Sequence, residues 1–456
     1  MPCTDNPPDI SLKGIVRSIL FFVLLVVIFI PGVFTVNGRI AVSDYCLPLP
    51  PPTGSIVNVT NVSELVDAVN SAAADTIILI ADGIYNLDGA YLRIDVAGVT
   101  LRSASGDREA VVLDGNYITT EILQITASGV TVADLSLREA DNHPIHIMST
   151  GSSSTDNTML YNLHIIDPGE QAVKINPVDM DHFTDNGVIA CSRIELTDAG
   201  RSHIRNDCYT GGIDAHQSRG WLIRDNVIEG FWCSSGLSEH AIHFWRGSRD
   251  TLVERNAILD NARGIGFGLA TDGDARTYTD NPCPAAGGTY VDHYDGIIRN
   301  NVVFTNHAAL FSSEYGLDCG ICLWSACGAN VLHNTVFSTQ APFSSIEWRF
   351  SNTWIDLTNN LVSHNLRERD DAHAVQAGNV TGAQADWFIN APQGDLHLAG
   401  GASEVIDQGA SVPAGLCDSD FDGDPRPIGT ARDVGVDEVG TPPVGNMRTY
   451  LPMVRH

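Results

Sequence analysis

The chain is almost without lysine: Lys13 and Lys174 are its only two, and its other basic side chains are 24 arginines and 15 histidines. Set against 55 acidic residues they leave a formal charge of -29. That excludes the broad basic surface that nucleic acid requires. Charged residues make up 18% and aromatic residues 7% of the chain. The first figure is too low for a charge-dense disordered chain. Long apolar runs are confined to the N-terminus, where Ile15 to Phe34 is broken only near Arg17 and Ser18 and follows Lys13. Residues 1–36 therefore read as a secretory signal or an uncleaved anchor, the sole expected membrane contact. Residues 37–54, with the run PLPPPTG from Pro48 to Gly54, read as a stiff, solvated spacer. A secreted or cell-surface protein is implied.

Cysteine is sparse but unevenly placed, with Cys3 before the apolar segment and nine after it. In an exported chain this predicts disulfides with one thiol left over. A zinc cluster from Cys283, Cys319, Cys322 and Cys327 is the alternative, although no second CxxC pair completes it.

What the chain has in quantity is glycine, 42 residues, and short apolar runs without helical period. Ser63 can cap a short helix through Ala74, and DTIILIADGIYN then reads as a buried strand and turn. VTLRSA, VVLDG, MLYNLHII, WLIRDNVIEG, GIIRNNVVFTN and IDLTNNLVSHN each read as one strand and turn of a coil. Asn226, Asn256, Asn301, Asn334 and Asn360 recur at intervals of 30, 45, 33 and 26. Stacked asparagines hydrogen-bonding along an axis would satisfy polar groups buried in the turns. The expected fold is all-β, a right-handed parallel β-helix solenoid with a short N-terminal capping helix. The helix is expected over 55–395, a C-terminal capping segment over 396–440 and a linker with a surface-retention-like tail over 441–456. A β-sandwich, the structural competitor, would give hairpin turns and regular polar alternation.

Alternate residues of a coil's strand face outward, so equivalent positions stack into ladders. Aligning AVKIN with GIDAH, AIHFW, GIGFG, GICLW and SIEWR puts Val173, Ile213, Ile242, Ile265, Ile321 and Ile346 inward. The first outward ladder is then Lys174, Asp214, His243, Gly266, Cys322 and Glu347, with His146 one coil earlier. The second is Asn176, His216, Trp245, Gly268, Trp324 and Arg349. Sugars stack on tryptophan faces, and polar groups bind hydroxyls and carboxylates. Trp245, Trp324, Asn176, His146, Glu239, Arg249 and Arg219 are accordingly candidate contacts to an anionic polysaccharide, with Gly266 and Gly268 leaving it room. Beyond the N-terminal segment Lys174 is the one basic side chain, histidine aside, that can release its proton at usable pH. With its pKa lowered it would serve as the base of a β-elimination. Arg246 or Arg249 would neutralise a uronate carboxylate, and His243 or His216 would protonate the departing oxygen.

From SELVDAVN to VVLDG, and over roughly residues 60 to 395, the chain resembles the pectate-lyase-like superfamily of β-helices. Its opening is most similar to the chondroitinase B and alginate lyase branch. GEQAVKIN (169–176) is similar to that branch's Glu and Lys coil, and IHFWRGS (242–248) to its Arg coil. The resemblance implies Lys174 as base, Arg246 as partner of the carboxylate or leaving group, and Glu170 as a calcium ligand. Ala172 and Val173 stand where a second acidic ligand is expected, so no cofactor is the alternative to calcium. DSDFDGDPRPIGTARDVGVDE (418–438) is similar to the terminal segment of exported bacterial β-helix proteins and is expected to close the last coil. Its Asp420, Asp422 and Asp424 alternate as in a calcium loop, without the later Glu of an EF-hand.

Three rival readings stand beside elimination. Asp214 and Glu239 are a carboxylate pair for hydrolysis. His146, His216 and His243 could converge on one metal ion. A non-catalytic glycan-binding surface protein needs only the tryptophans. A monomer is expected.

Overall fold

The computed structural model describes residues 46–205 and 207–440. The expected signal or anchor, the first part of the spacer and the terminal tail lie outside them. Each coil contributes one short strand to each of three parallel sheets, which among the described residues hold 14, 11 and 10 strands. The fold is a right-handed parallel β-helix, as the sequence predicts.

Strand pairing follows the alignment of outward and inward positions. Val173, Ile213, Ile242, Ile265, Ile321 and Ile346 are register partners in the third sheet. All are fully buried in one continuous apolar core. Sharp bends between the first and second sheets come from a residue in the left-handed region, such as Asp225 (φ 56°), Arg255 (φ 52°) and Asn300 (φ 52°). The asparagine after each bend turns inward. Asn226 Nδ2 donates to Asn256 Oδ1, Asn256 to Asn301, Asn301 to Asn334 and Asn334 to Asn360, each at 3.0 Å. The ladder extends beyond the predicted five: Asn360 donates to Asn379 at 2.9 Å, and the Ser192 N–H donates to Asn226 at 2.9 Å.

Four expectations change. The capping helix spans Val62–Asn70, and Asn61, not Ser63, caps it by accepting from the Glu64 N–H at 3.0 Å. Glu64 reaches back to the Thr60 N–H at 2.8 Å, so reciprocal bonds start the helix before Ser63. The start of the described spacer, though largely exposed, is tied to the first sheet through a Cys46–Cys191 disulfide and Leu47 O accepting from Tyr161 Oη at 2.6 Å. The cysteines of the zinc alternative are paired as Cys283–Cys327 and Cys319–Cys322. With Cys208–Cys233 they leave Cys417 as the single free thiol among the described residues. Four disulfides suit an oxidising compartment.

Finally, the C-terminal segment lies along the outer side of the second sheet instead of closing the last coil. Val405, Val434 and Val436 bury Phe304, Phe337 and Leu361 there. Its aspartates serve this docking. Asp420 accepts from the Asp424 and Glu438 N–H groups at 2.8 and 3.0 Å, and burial pushes its carboxyl up to about 8. Asp422 accepts from His397 Nε2 at 2.8 Å. Asp420 and Asp422 thus point to separate partners.

Two predictions follow from these contacts. Asn301→Ala removes one rung and leaves its neighbours' polar groups unpaired, so denaturant unfolding should show a loss of about 1–3 kcal/mol. His397, half-buried beside Asp395, Asp422 and Asp437, is pushed up to about 11 because the Asp395 and Asp422 bonds outweigh its desolvation. A raised histidine stabilises fully below its unfolded value of 6.5 and loses that contribution as pH rises toward about 11. The melting temperature of the wild type should therefore fall more steeply across that window than that of His397→Gln. Parallel curves would refute the assignment.

Candidate active site

Four successive strands of the third sheet build the site: Ile145–Met148, Gln171–Asn176, Gly211–His216 and Ile242–Trp245. Their register sets His146 beside Lys174, Lys174 beside Asp214, and Asp214 beside His243. Residues 28 to 40 apart in sequence are thereby brought side by side.

Asp214 is the centre. Its Oδ2 accepts from the Lys174 ammonium and lies 3.2 Å from His216 Nε2, while its Oδ1 accepts from the Trp245 indole N–H at 2.8 Å. His243 Nδ1 is 3.6 Å from the same Oδ1. Asp214 and Lys174 are only 3% and 7% exposed. Burial alone would raise the Asp214 carboxyl, but Lys174 and then His216 hold it well below the usual range. Burial likewise works to lower Lys174, and the Asp214 charge, helped by Tyr209, outweighs it and raises the amine. The lowered pKa expected of a resting base is therefore reversed: the partner that lets the amine be buried also keeps it protonated.

His216 is held below its ordinary value by burial, against the pull of Asp214. Arg246 lies near enough to add to that lowering. His216 Nε2 is also 3.2 Å from Lys174 Nζ, and it is the tautomer donating Nε2–H to Asp214 that leaves the Nδ1 lone pair open. Tyr209 closes the cluster, its hydroxyl 3.4 Å from Lys174 Nζ. It sits on a loop joined to residue 233 by the Cys208–Cys233 disulfide. Sequence reasoning missed Tyr209 because it belongs to the loop entering the strand and has no place in the alternation.

Arg246 adopts the left-handed conformation (φ 57°), held by its N–H donating to Asp292 Oδ1 at 2.8 Å. Its guanidinium carbon is 4.6 Å from the Trp245 ring centroid, and no carboxylate among the described residues pairs with it. Arg249 is instead engaged by Asp280 at 2.8 Å and Asp295 at 3.3 Å, and Arg219 by Asp250 at 2.8 Å. Of the candidate arginines, Arg246 alone presents an uncommitted cation.

Several ladder residues are not at the surface. His243 is 0% and Trp324 4% exposed. Trp324 packs near His240 and donates its N–H to the buried Glu347 at 2.6 Å, so it offers no stacking face for sugar. The room beside Gly266 is taken by the His240 ring, and that beside Gly268 by the Trp324 carbonyl. Trp245 remains partly exposed, with His243 stacked on it at 5.3 Å.

His146 forms a separate cluster, with Nδ1 2.8 Å from Glu121 and Nε2 accepted by Asn176 Oδ1 at 2.7 Å. It does not converge with His216 and His243 on a metal position. Glu170 is buried and faces His143, whose Nε2 is 3.5 Å away. With Asp214 committed to three donors and Glu170 to an imidazole, the wall lacks the set of oxygen ligands that calcium takes, and no step is derived through that ion. Glu239 is partly exposed, and burial followed by the Asp214 charge raises its carboxyl.

No protein-family model matches the chain, and no curated protein matches its sequence. Among solved structures it is similar to the pectate lyase Pel9A, at 14% identity and a TM-score of 0.57, covering 88% of this chain and 100% of that one. It is also similar to an alginate lyase from Paenibacillus sp. str. FPU-7, at 15% identity and a TM-score of 0.52, covering 70% of this chain and 99% of that one. These likenesses establish the fold, a parallel β-helix.

Because Lys174 is the only lysine beyond residue 13, amine-directed labelling followed at its peptide reports this site alone. The pH midpoint of labelling should lie above the ordinary amine value of 10.5 and should drop in Asp214→Asn. An unchanged midpoint in that variant would remove Asp214 as the cause.

Proposed function

We propose that the protein is a polysaccharide lyase that cleaves a uronate-containing glycan by β-elimination. The observation that carries this reading is the uncommitted Arg246 guanidinium beside a carboxylate-held imidazole on one wall of a protein of charge -29. The fold neighbours named pectate lyase and alginate lyase support the same reading. Elimination needs three things: a cation for the carboxylate that stabilises the adjacent carbanion, a base for the proton on that carbon, and a proton for the departing oxygen.

Arg246 is the cation, and Trp245 and the Asp292-held turn fix its place. His216 is the base. Asp214 holds its Nε2–H and stabilises the imidazolium formed when Nδ1 takes the proton, as the carboxylate does in a catalytic triad. The electron pair of the broken C–H bond forms the C=C bond, and the glycosidic C–O bond breaks. Tyr209, exposed and in contact with Lys174, protonates the departing oxygen, and the ammonium restores the phenol's proton. Lys174 thus acts as charged proton reservoir instead of the free base that its solitary status in the sequence suggests. His243, fully buried, stands behind the site. Hydrolysis by Asp214 and Glu239 is less favoured because Asp214 is buried and committed to Lys174, leaving it unable to activate a water.

The test is absorbance of the conjugated product on a panel of uronate polymers, with reducing ends measured in parallel. One polymer should give rising absorbance, and His216→Ala and Tyr209→Phe should each reduce kcat by about 10²–10⁴-fold. Lys174→Arg should fail equally, since it retains charge without the ability to pass a proton. Reducing ends without absorbance would replace elimination by hydrolysis. Binding without either product would make the wall a glycan-binding surface.

A further inference from the structure

Behind the wall lies a group of side chains that the elimination does not use. Glu239 and His240 enter the strand that carries His243, and one ligand atom from each of the three lies within 4.8 Å of the others. His243 Nδ1 and Glu239 Oε2 are 3.7 Å apart, and the two imidazole centroids are separated by 4.2 Å. Both imidazoles are 0% exposed. Neither nitrogen of His240 has a hydrogen-bonding partner among the described residues, and neither has His243 Nδ1. A buried polar atom without a partner carries a desolvation cost that native structures rarely leave uncompensated. Three such atoms beside the Glu239 carboxylate, with Asp214 Oδ1 3.6 Å from one of them, need a common explanation.

The tautomer of His243 supplies the next step. Its Nε2–H donates to the Gly268 carbonyl at 3.2 Å, which leaves Nδ1 as the lone-pair nitrogen facing Glu239. Metal-ligating histidines are oriented in this way, with the remote N–H bound to a carbonyl or carboxylate. Gly266 makes the arrangement sterically open to His240: a Cβ there would meet the His240 ring at 2.6 Å.

We propose that Glu239, His240 and His243 bind one divalent transition ion of the zinc class, with a fourth position open on the partly exposed Glu239 side. Two imidazoles and one carboxylate are a borderline donor set that suits Zn2+ and not Ca2+, which takes six to eight oxygens. In a tetrahedral site with ordinary Zn–N and Zn–O lengths, ligand atoms lie about 3.3 Å apart. The 3.7 Å pair is within a few tenths of an ångström of closing on an ion. Asp214 Oδ1, 3.6 Å from His243 Nδ1, adds negative potential. Other groupings are less suited. Cys319 and Cys322, which also adjoin His240, are joined in a disulfide, and His397 is already bonded to two carboxylates.

The test needs no catalytic activity and uses the disulfide-intact protein. Titration with Zn2+ should give one bound equivalent, and Co2+ in its place should give the intense visible absorption of a four-coordinate site. His240→Gln and Glu239→Gln, first checked for wild-type circular dichroism, should each weaken binding by about 10–100-fold, while His397→Gln should not. Excess Ca2+ should not displace the ion. No bound equivalent in the wild type, equal affinity in both site variants, or binding only after disulfide reduction would each overturn the site. Elimination can fail its own assay while metal binding succeeds, so the two readings are separable.

Discussion

Everything at the candidate site depends on parallel register between coils. Main-chain hydrogen bonds lock each strand of the third sheet to the next, and inward isoleucines and valines forbid a one-residue slip, which would expose them and bury their polar neighbours. The same lock holds Lys174 opposite Asp214 and Asp214 opposite His243. A rigid solenoid is therefore an efficient way to hold charged groups at fixed separation: the apolar core sets the register, and the outer wall inherits it.

The wall's electrostatics then centre on one buried carboxylate. Burying Asp214 alone would be costly, and Lys174, His216 and the Trp245 indole supply the cation and donors that make its ionised form stable there. That solution has a chemical consequence, because a lysine that stabilises a buried carboxylate is a poor free base. The solitary Lys174 is informative in the sequence, but its role follows from its partner. A chain rich in arginine and poor in lysine can still form this pair, and it leaves Arg246 without a carboxylate partner among the described residues, over the Trp245 ring.

Much of this was legible in the sequence because it depends on alternation and recurrence. The asparagine ladder, the inward isoleucines and the neighbours of Lys174 all follow from counting residues along strands. What was not legible depends on segments that alternation does not place. Whether an outward residue meets solvent is decided by the loops that cover it, so Trp324 and His243 read as surface groups and are buried. Tyr209 arrives from a disulfide-bonded loop, and the C-terminal aspartates, alternating like a cation loop, bind backbone N–H groups and His397. Ser63 read as a cap because it begins an apolar pattern; Asn61 and Glu64 settle the start by reciprocal bonding.

The two glycines of the outward ladders show the same division. Absent side chains at 266 and 268 predict room for substrate, but what approaches there is protein. His240 fills one space and the Trp324 carbonyl the other. On the next two coils the first outward ladder is covered as well, with Cys322 and Glu347 fully buried. Under the proposed elimination a substrate would meet His216, Tyr209 and Arg246 close to where that covering begins, so the protein's own side chains, as much as the ladder, decide where along the helix such chemistry could occur.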